Sequence, residues 1–233
     1  MSLRFLHRRA LSSLALALGL LVLAGCGASR EKGITAPPGQ AQIIGTVNRA
    51  GTSLAGFKVK LYNDTAGAQV DSTFTDAGGS YGFSGVPAGA WMVKVSPTDP
   101  GDLGYVRFFF ALSTSGQSAT VPPFDVSAHG IALSAPSDGA SLVQPTFSSP
   151  LRFSWTSYQA PLSWMNARIS DTQDVLAWAS PQGQATTADW NGLGNQGSYA
   201  GAAVPAGTYQ WRVKLHLGNA VQAATRVRTL ILQ

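Results

Sequence analysis

The chain has 233 residues, 16 lysines and arginines against 11 acids, 45% hydrophobic residues and a single cysteine. That length holds one or two domains, and one cysteine excludes a fold stapled by disulfides, so burial alone must stabilise it. Residues 1–25 contain three of the cations, Arg4, Arg8 and Arg9, and no acid; beyond them the net charge is +2 with no basic block, which argues against nucleic acid as a partner.

From the start, Met1 to Arg9 is basic and Ala10 to Ala24 is an apolar run ending in Leu23-Ala24-Gly25-Cys26. This is the pattern of an export signal, too short for a comfortable membrane span. Leu-Ala-Gly-Cys resembles the bacterial lipobox. The resemblance implies that the Cys26 thiol is alkylated by diacylglycerol, that residues 1–25 are removed, and that the new amine is acylated. More than one acyl chain anchors a protein stably. Residues 26–40, with Arg30, Glu31, Lys32, Pro37 and Pro38 and hardly any large apolar side chain, read as a tether. Gly27 and Ala28 stand where an Asp often retains lipoproteins at the inner membrane, so the resemblance points to the outer membrane of a Gram-negative bacterium.

Residues 41–128 give short alternating runs with no helical period. Ile43, Gly45 and Val47 share a face, as do Phe57, Val59 and Leu61 with Lys58 and Lys60 outward, and Tyr81 with Phe83. Turn residues Ala50-Gly51, Ala55-Gly56 and Asp76-Ala77-Gly78-Gly79 separate them at the spacing of a sandwich. Asp64, Asp71 and Asp76 are better suited to Asx-turns than to a calcium cluster. Ile44-Gly45-Thr46-Val47, Leu54-Ala55-Gly56-Phe57-Lys58-Val59, Thr75 to Phe83 and Val86-Pro87-Ala88-Gly89, in that order, resemble the carboxypeptidase regulatory-like domain. That implies a prealbumin-like sandwich, an accessory module grouped by fold with starch-binding domains, and no catalysis.

Arg107-Phe108-Phe109-Phe110 puts adjacent aromatics on both faces of one strand. One Phe must then be covered from outside this sandwich, and a second domain joined through Ala128-His129-Gly130 is the expected cover. Left exposed, the three rings would be an apolar assembly patch.

Residues 131–233 open with Pro136-Ser137-Asp138-Gly139 and Leu151-Arg152-Phe153-Ser154-Trp155, which look like the start of an immunoglobulin or fibronectin type III sandwich. Asp189-Trp190-Asn191-Gly192, a glycine-rich loop and Val204-Pro205-Ala206-Gly207-Thr208-Tyr209 are similar to the immunoglobulin-like domain of flagellar hook-capping proteins. Val-Pro-Ala-Gly occurs twice, each time ahead of a strand with aromatic and β-branched residues on one face: Trp91, Val93 and Val95, then Tyr209, Trp211 and Val213.

In Ser163 to Ile169, Met165, Ala167 and Ile169 claim the core and leave Trp164, Asn166 and Arg168 outward. A flat ring beside an amide and a guanidinium suits a sugar, so these three are the candidate ligand-binding residues, against packing of Trp164 on the loop 180–196. His216 continues the outward row of Arg212 and Lys214 as a solvated residue.

The last hairpin offers a second candidate. A two-residue turn at Gly218-Asn219 would set Arg226 opposite Trp211 and Arg228 opposite Tyr209 on the aromatic face, which is costly. A three- or five-residue loop, or a bulge, is therefore expected, placing Arg226 and Arg228 with Arg212 and Lys214 on an outward, anion-attracting face. Arg212 would then face Arg226 and Val227 would return to the core.

The fold class expected is all-β, two consecutive antiparallel β-sandwich domains (41–128 and 131–233) after a cleaved lipoprotein signal peptide. Beyond residue 25 there are two histidines, one glutamate and no cysteine besides Cys26, and Gly-x-Ser-x-Gly, His-Glu-x-x-His and Gly-x-x-x-x-Gly-Lys are absent. The reading is a non-enzymatic envelope protein without metal or cofactor. Its partners are the membrane, through Cys26, and a glycan or another envelope protein; an assembly component is the alternative, and an unrecognised enzyme the remote one.

Overall fold

Strict alternation of apolar and polar residues builds strands with one buried face, and the computed structural model, which describes residues 41–113, 116–217 and 220–233, is built of them. Cys26 and the tether lie outside the described residues. The first half contains β1 (Ala41–Arg49), β2 (Thr52–Ser53), β3 (Lys58–Asn63), β4 (Ala68–Phe74), β5 (Ser80–Val86), β6 (Gly89–Val95), β7 (Tyr105–Leu112), β8 (Ala119–Thr120) and β9 (Phe124–Asp125). The second contains β10 (Leu133–Ala135), β11 (Ala140–Leu142), β12 (Leu151–Trp155), β13 (Leu162–Asp171), β14 (Leu176–Ala179), β15 (Thr187–Trp190), β16 (Gly207–Leu217), β17 (Gln222–Ala224) and β18 (Arg228–Leu232). Among the described residues no helix is long and apolar enough to cross a membrane.

The protein is an all-β sandwich fold. In the first half, β2-β1-β5, with β8 and β9 parallel to β1, faces β4-β3-β6-β7. Ile43, Val47, Tyr81 and Phe83 from one layer and Val59, Leu61, Trp91, Val93 and Val95 from the other are buried, the parity that alternation requires. In the second half, β10-β12-β15 faces a layer in which β16 pairs with β13 along one edge and with β17 and β18 along the other. There Phe153 lies edge-on to Trp211 at 4.9 Å and stacks on Trp178 at 5.7 Å, contacts that add about 0.5–1.5 kcal/mol each beyond burial.

Both Val-Pro-Ala-Gly corners close in the same way. Trp91 Nε1 donates to the Pro87 carbonyl at 3.0 Å, and Tyr209 Oη donates to the Pro205 carbonyl at 2.9 Å. Each ring folds back under a glycine of positive φ, Gly89 at 149° and Gly207 at 155°. Asp76 closes the expected Asx-turn, accepting from the Gly78 and Ser80 N–H groups at 2.9 and 2.8 Å.

The two halves share a sheet. β7 pairs antiparallel with β17, through Arg107 with Gln222 and Tyr105 with Ala224, so one ten-stranded sheet runs from β4 to β11 and β14. Just before β7 the Gly104 N–H donates to the Ala224 carbonyl at 2.8 Å. Around this seam Arg49 holds Asp102 at 2.6 Å and also pairs with Asp99. Arg226 donates to the carbonyls of Asp99 and Pro97. The second half therefore joins the edge of β7 instead of covering its phenylalanines.

That seam decides the last hairpin. Leu217 N–H donates to Val221 O, leaving three residues between them, and β16 and β17 pair Lys214 with Ala224. A bulge at residues 225–227 then shifts the register by one, so that Arg228 stands opposite Trp211 and Leu230 opposite Tyr209. Thr225, itself buried, fills the gap: its hydroxyl accepts from the Val213 N–H at 3.0 Å and donates to the Arg226 carbonyl at 3.1 Å. Both loop and bulge occur, and together they overturn the expected placement of the arginines. Val227 is exposed, and Arg212 faces Arg168 across β13 instead of Arg226. Arg228 shares the inward parity of Leu230 and Leu232 but reaches over the rim to the Ser134 and Pro136 carbonyls at 3.1 and 2.9 Å. Neither Arg226 nor Arg228 joins the face of Arg212 and Lys214.

Candidate functional site

Pairing of β7 with β17 brings the outward side chains of both halves onto one surface. From β6 come Met92 and Lys94, from β7 Tyr105, Arg107 and Phe109, from β16 Arg212, Lys214 and His216, and from β13 Trp164, Asn166 and Arg168. Register sets the neighbours: Lys60 opposite Lys94, Lys94 opposite Arg107, Arg107 opposite Gln222, Gln222 opposite His216, and His216 opposite Trp164. Ala224 lies outward between Tyr105 and Lys214 and is fully buried, so long side chains close over it.

The cations rest on rings. Lys94 Nζ and the Arg107 guanidinium lie 5.2 and 5.1 Å from the centre of Tyr105, and Arg107 also covers Phe109 at 4.9 Å. Lys214 Nζ lies 5.8 Å from the Trp164 ring, which also stacks on His216 at 4.8 Å and 15° between planes. The alternative of an exposed apolar patch at Phe108 to Phe110 gives way to a division of labour: Phe108 and Phe110 stack at 5.8 Å and pack on the core, while Phe109 lies under Arg107. Trp164 stacks on His216 of the neighbouring strand.

Asn166 and Arg168 are differently placed from one another. Asn166 is buried, donating from Nδ2 to the Ser180 carbonyl at 3.1 Å and accepting from Arg168 Nε at 3.3 Å. It positions Arg168, which remains half-buried on the outer face. Arg212 pairs with Asp174. No carboxylate pairs with Lys94, Arg107, Arg168 or Lys214 among the described residues, and Arg107 Nε is buried without a partner while its Nη2 donates to Gln222 at 3.2 Å.

Electrostatics record the crowding. Burial, reinforced by Arg168 and Arg107, pushes the Lys214 ammonium down to about 8. Burial also lowers Lys94, with Arg107, Arg212 and Lys60 adding repulsion, and it lowers Arg168 and His216. Each cation–ring contact returns about 0.5–2 kcal/mol. Desolvating an unpaired ion costs several kcal/mol, so the rings alone leave this face short of negative charge. Sequence reasoning found Trp164, Arg168, Arg212 and Lys214. It missed Lys94, Tyr105 and Arg107, although Lys94 and Arg107 are legible as outward positions, because nothing local says that β7 continues into the second half.

Residues 41–99 match the family model of the second β-sandwich domain of the BOS complex subunit NOMO1-like proteins. No curated protein matches the chain. Among solved structures, it is similar to the fibronectin(III)-like modules of Clostridium thermocellum CbhA (14% identity, 44% of this chain and 93% of that one, TM-score 0.30). It is also similar to a DUF3823 family protein of Parabacteroides merdae (15%, 84% and 100%, 0.31) and to the major pilin subunit of Bacillus cereus (12%, 83% and 69%, 0.31). The match over residues 41–99 is to a β-sandwich, the architecture observed there.

Proposed function

We propose that this is a non-enzymatic protein of the bacterial cell envelope, anchored by lipid on Cys26, that binds a glycan on the outer face of its joined sheet. The observation that carries the reading is the cross-strand plate of Trp164 and His216, flanked by Lys214 and by Arg168 in the grip of Asn166. A plate of this kind offers a sugar ring a stacking surface with charged donors at its edge. Residues 41–128 serve as the carboxypeptidase regulatory-like module, whose β7 continues the sheet into the second half. The His129 ring meets Asp125 at 2.8 Å, and the His129 backbone N–H donates to the Ser127 hydroxyl.

A glycan array probed with the full chain and with Trp164→Ala tests this. Binding of some glycan that is lost in Trp164→Ala, with the fold intact by circular dichroism, is the expected result. Binding that survives the substitution moves the site elsewhere, and an array without signal defeats the reading.

A further inference from the structure

The cations beside Trp164 bear on what kind of glycan the face takes. Four of them, Lys94 and Arg107 from the first half and Arg168 and Lys214 from the second, lie on one surface with no carboxylate partner among the described residues. Asp174 is the acid beside them, and Arg212 occupies it. Solvated lysines on a sheet splay outward, but these do not: Lys214 is buried to 8% exposure against Trp164, and Lys94 and Arg107 share the ring of Tyr105. Arg107 Nε is buried without a hydrogen-bond partner among the described residues. A surface that holds like charges together in this way is completed by an anion.

We infer that the joined sheet face is a binding site for an acidic glycan, a sugar chain bearing repeated carboxylate or phosphate groups, held by Lys94, Arg107, Arg168 and Lys214 with Tyr105 and Trp164 as ring platforms. The row runs from β6 through β7, β17 and β16 to β13, a width of about 19 Å at the spacing of neighbouring strands, so it suits a chain better than one small ion. Both sandwiches contribute, so the site exists only where β7 and β17 are joined. An anionic membrane is the poorer fit: cations that bind headgroups extend from the surface, whereas Lys94, Arg107 and Lys214 lie against aromatic rings.

This inference rests on the glycan reading, and the test separates the two. The full chain is titrated with polygalacturonate, with neutral dextran and with phosphatidylglycerol vesicles, alongside Arg107→Gln, Arg168→Gln, Lys94→Gln and Trp164→Ala. The expected result is salt-sensitive binding of polygalacturonate over dextran, weakened about tenfold or more in each arginine variant and also by Trp164→Ala. Lys94, at the β6 end of the row, supplies a second variant should Arg107→Gln fail to fold. Equal binding of dextran, lost in Trp164→Ala but unchanged in Arg107→Gln and Lys94→Gln, overturns the acidic assignment and keeps the glycan reading. Binding of vesicles but of neither polymer overturns the acidic assignment, as does binding of none of the three, and the glycan array then decides the glycan reading.

Discussion

Gly104 and Ala224 lie at the seam of the two sandwiches, joined by a hydrogen bond of 2.8 Å from the glycine N–H to the alanine carbonyl. A Cβ at Gly104 would stand 2.7 Å from the Thr225 carbonyl oxygen and 3.1 Å from Arg226 Cα, both backbone atoms that have nowhere to go. Gly104→Val should therefore push β17 off β7, at a cost of about 1–3 kcal/mol or more. Calorimetry should show two transitions where the parent gives one, and polygalacturonate binding should fall with them. A single transition at the parent temperature would show that the seam does not couple the halves.

Thr225 holds the bulge that sends Arg228 to the rim. Its hydroxyl is the acceptor for the Val213 N–H, so Thr225→Val keeps the shape and strands a buried donor. A loss of about 1–3 kcal/mol in chemical denaturation is expected. Thr225→Ser, which keeps the oxygen, should recover most of it.

Lys214 gives a pH signature. Its value in the folded protein, about 8, lies below its ordinary 10.5, so between these values the unfolded chain binds more protons and stability rises with pH. Below the window the folded state carries the full cost of the buried charge. Lys214→Met keeps the stem against Trp164 and removes that cost, so it should stabilise the protein at neutral pH by about 1 kcal/mol, roughly 2–4 °C in Tm. The gain should vanish above the window, where both side chains are neutral. Loss of stability at neutral pH would mean that the ammonium has a partner in the free protein.

Cys26→Ser tests the anchor. The polar tether has no other affinity for lipid, so the variant should move from the membrane fraction to the soluble one. Continued sedimentation with membranes would place the attachment elsewhere in the chain.

What the sequence determined by itself is the part fixed by local periodicity. The faces of Trp91, Val93 and Val95, of Tyr209, Trp211 and Val213, and of Met165, Ala167 and Ile169 follow from the two-residue repeat of a strand, which no tertiary contact can change without turning every side chain over. The repeated Pro-Ala-Gly corners are of the same kind, since Pro and Gly set their own dihedrals. Trp164 and Arg168 were legible as outward residues for that reason. Only the tertiary structure decided which outward residues meet. Pairing of β7 with β17 is a choice between strands more than a hundred residues apart, made by backbone hydrogen bonds that carry no side-chain signature, and it is what puts Lys94 and Arg107 beside Lys214. Arg226 and Arg228 went astray through the same seam. The bulge at residues 225–227 gives one stretch of chain two partners, β7 beside β17 and the β16 edge beside β18, and a count along the sequence cannot see the residue it consumes.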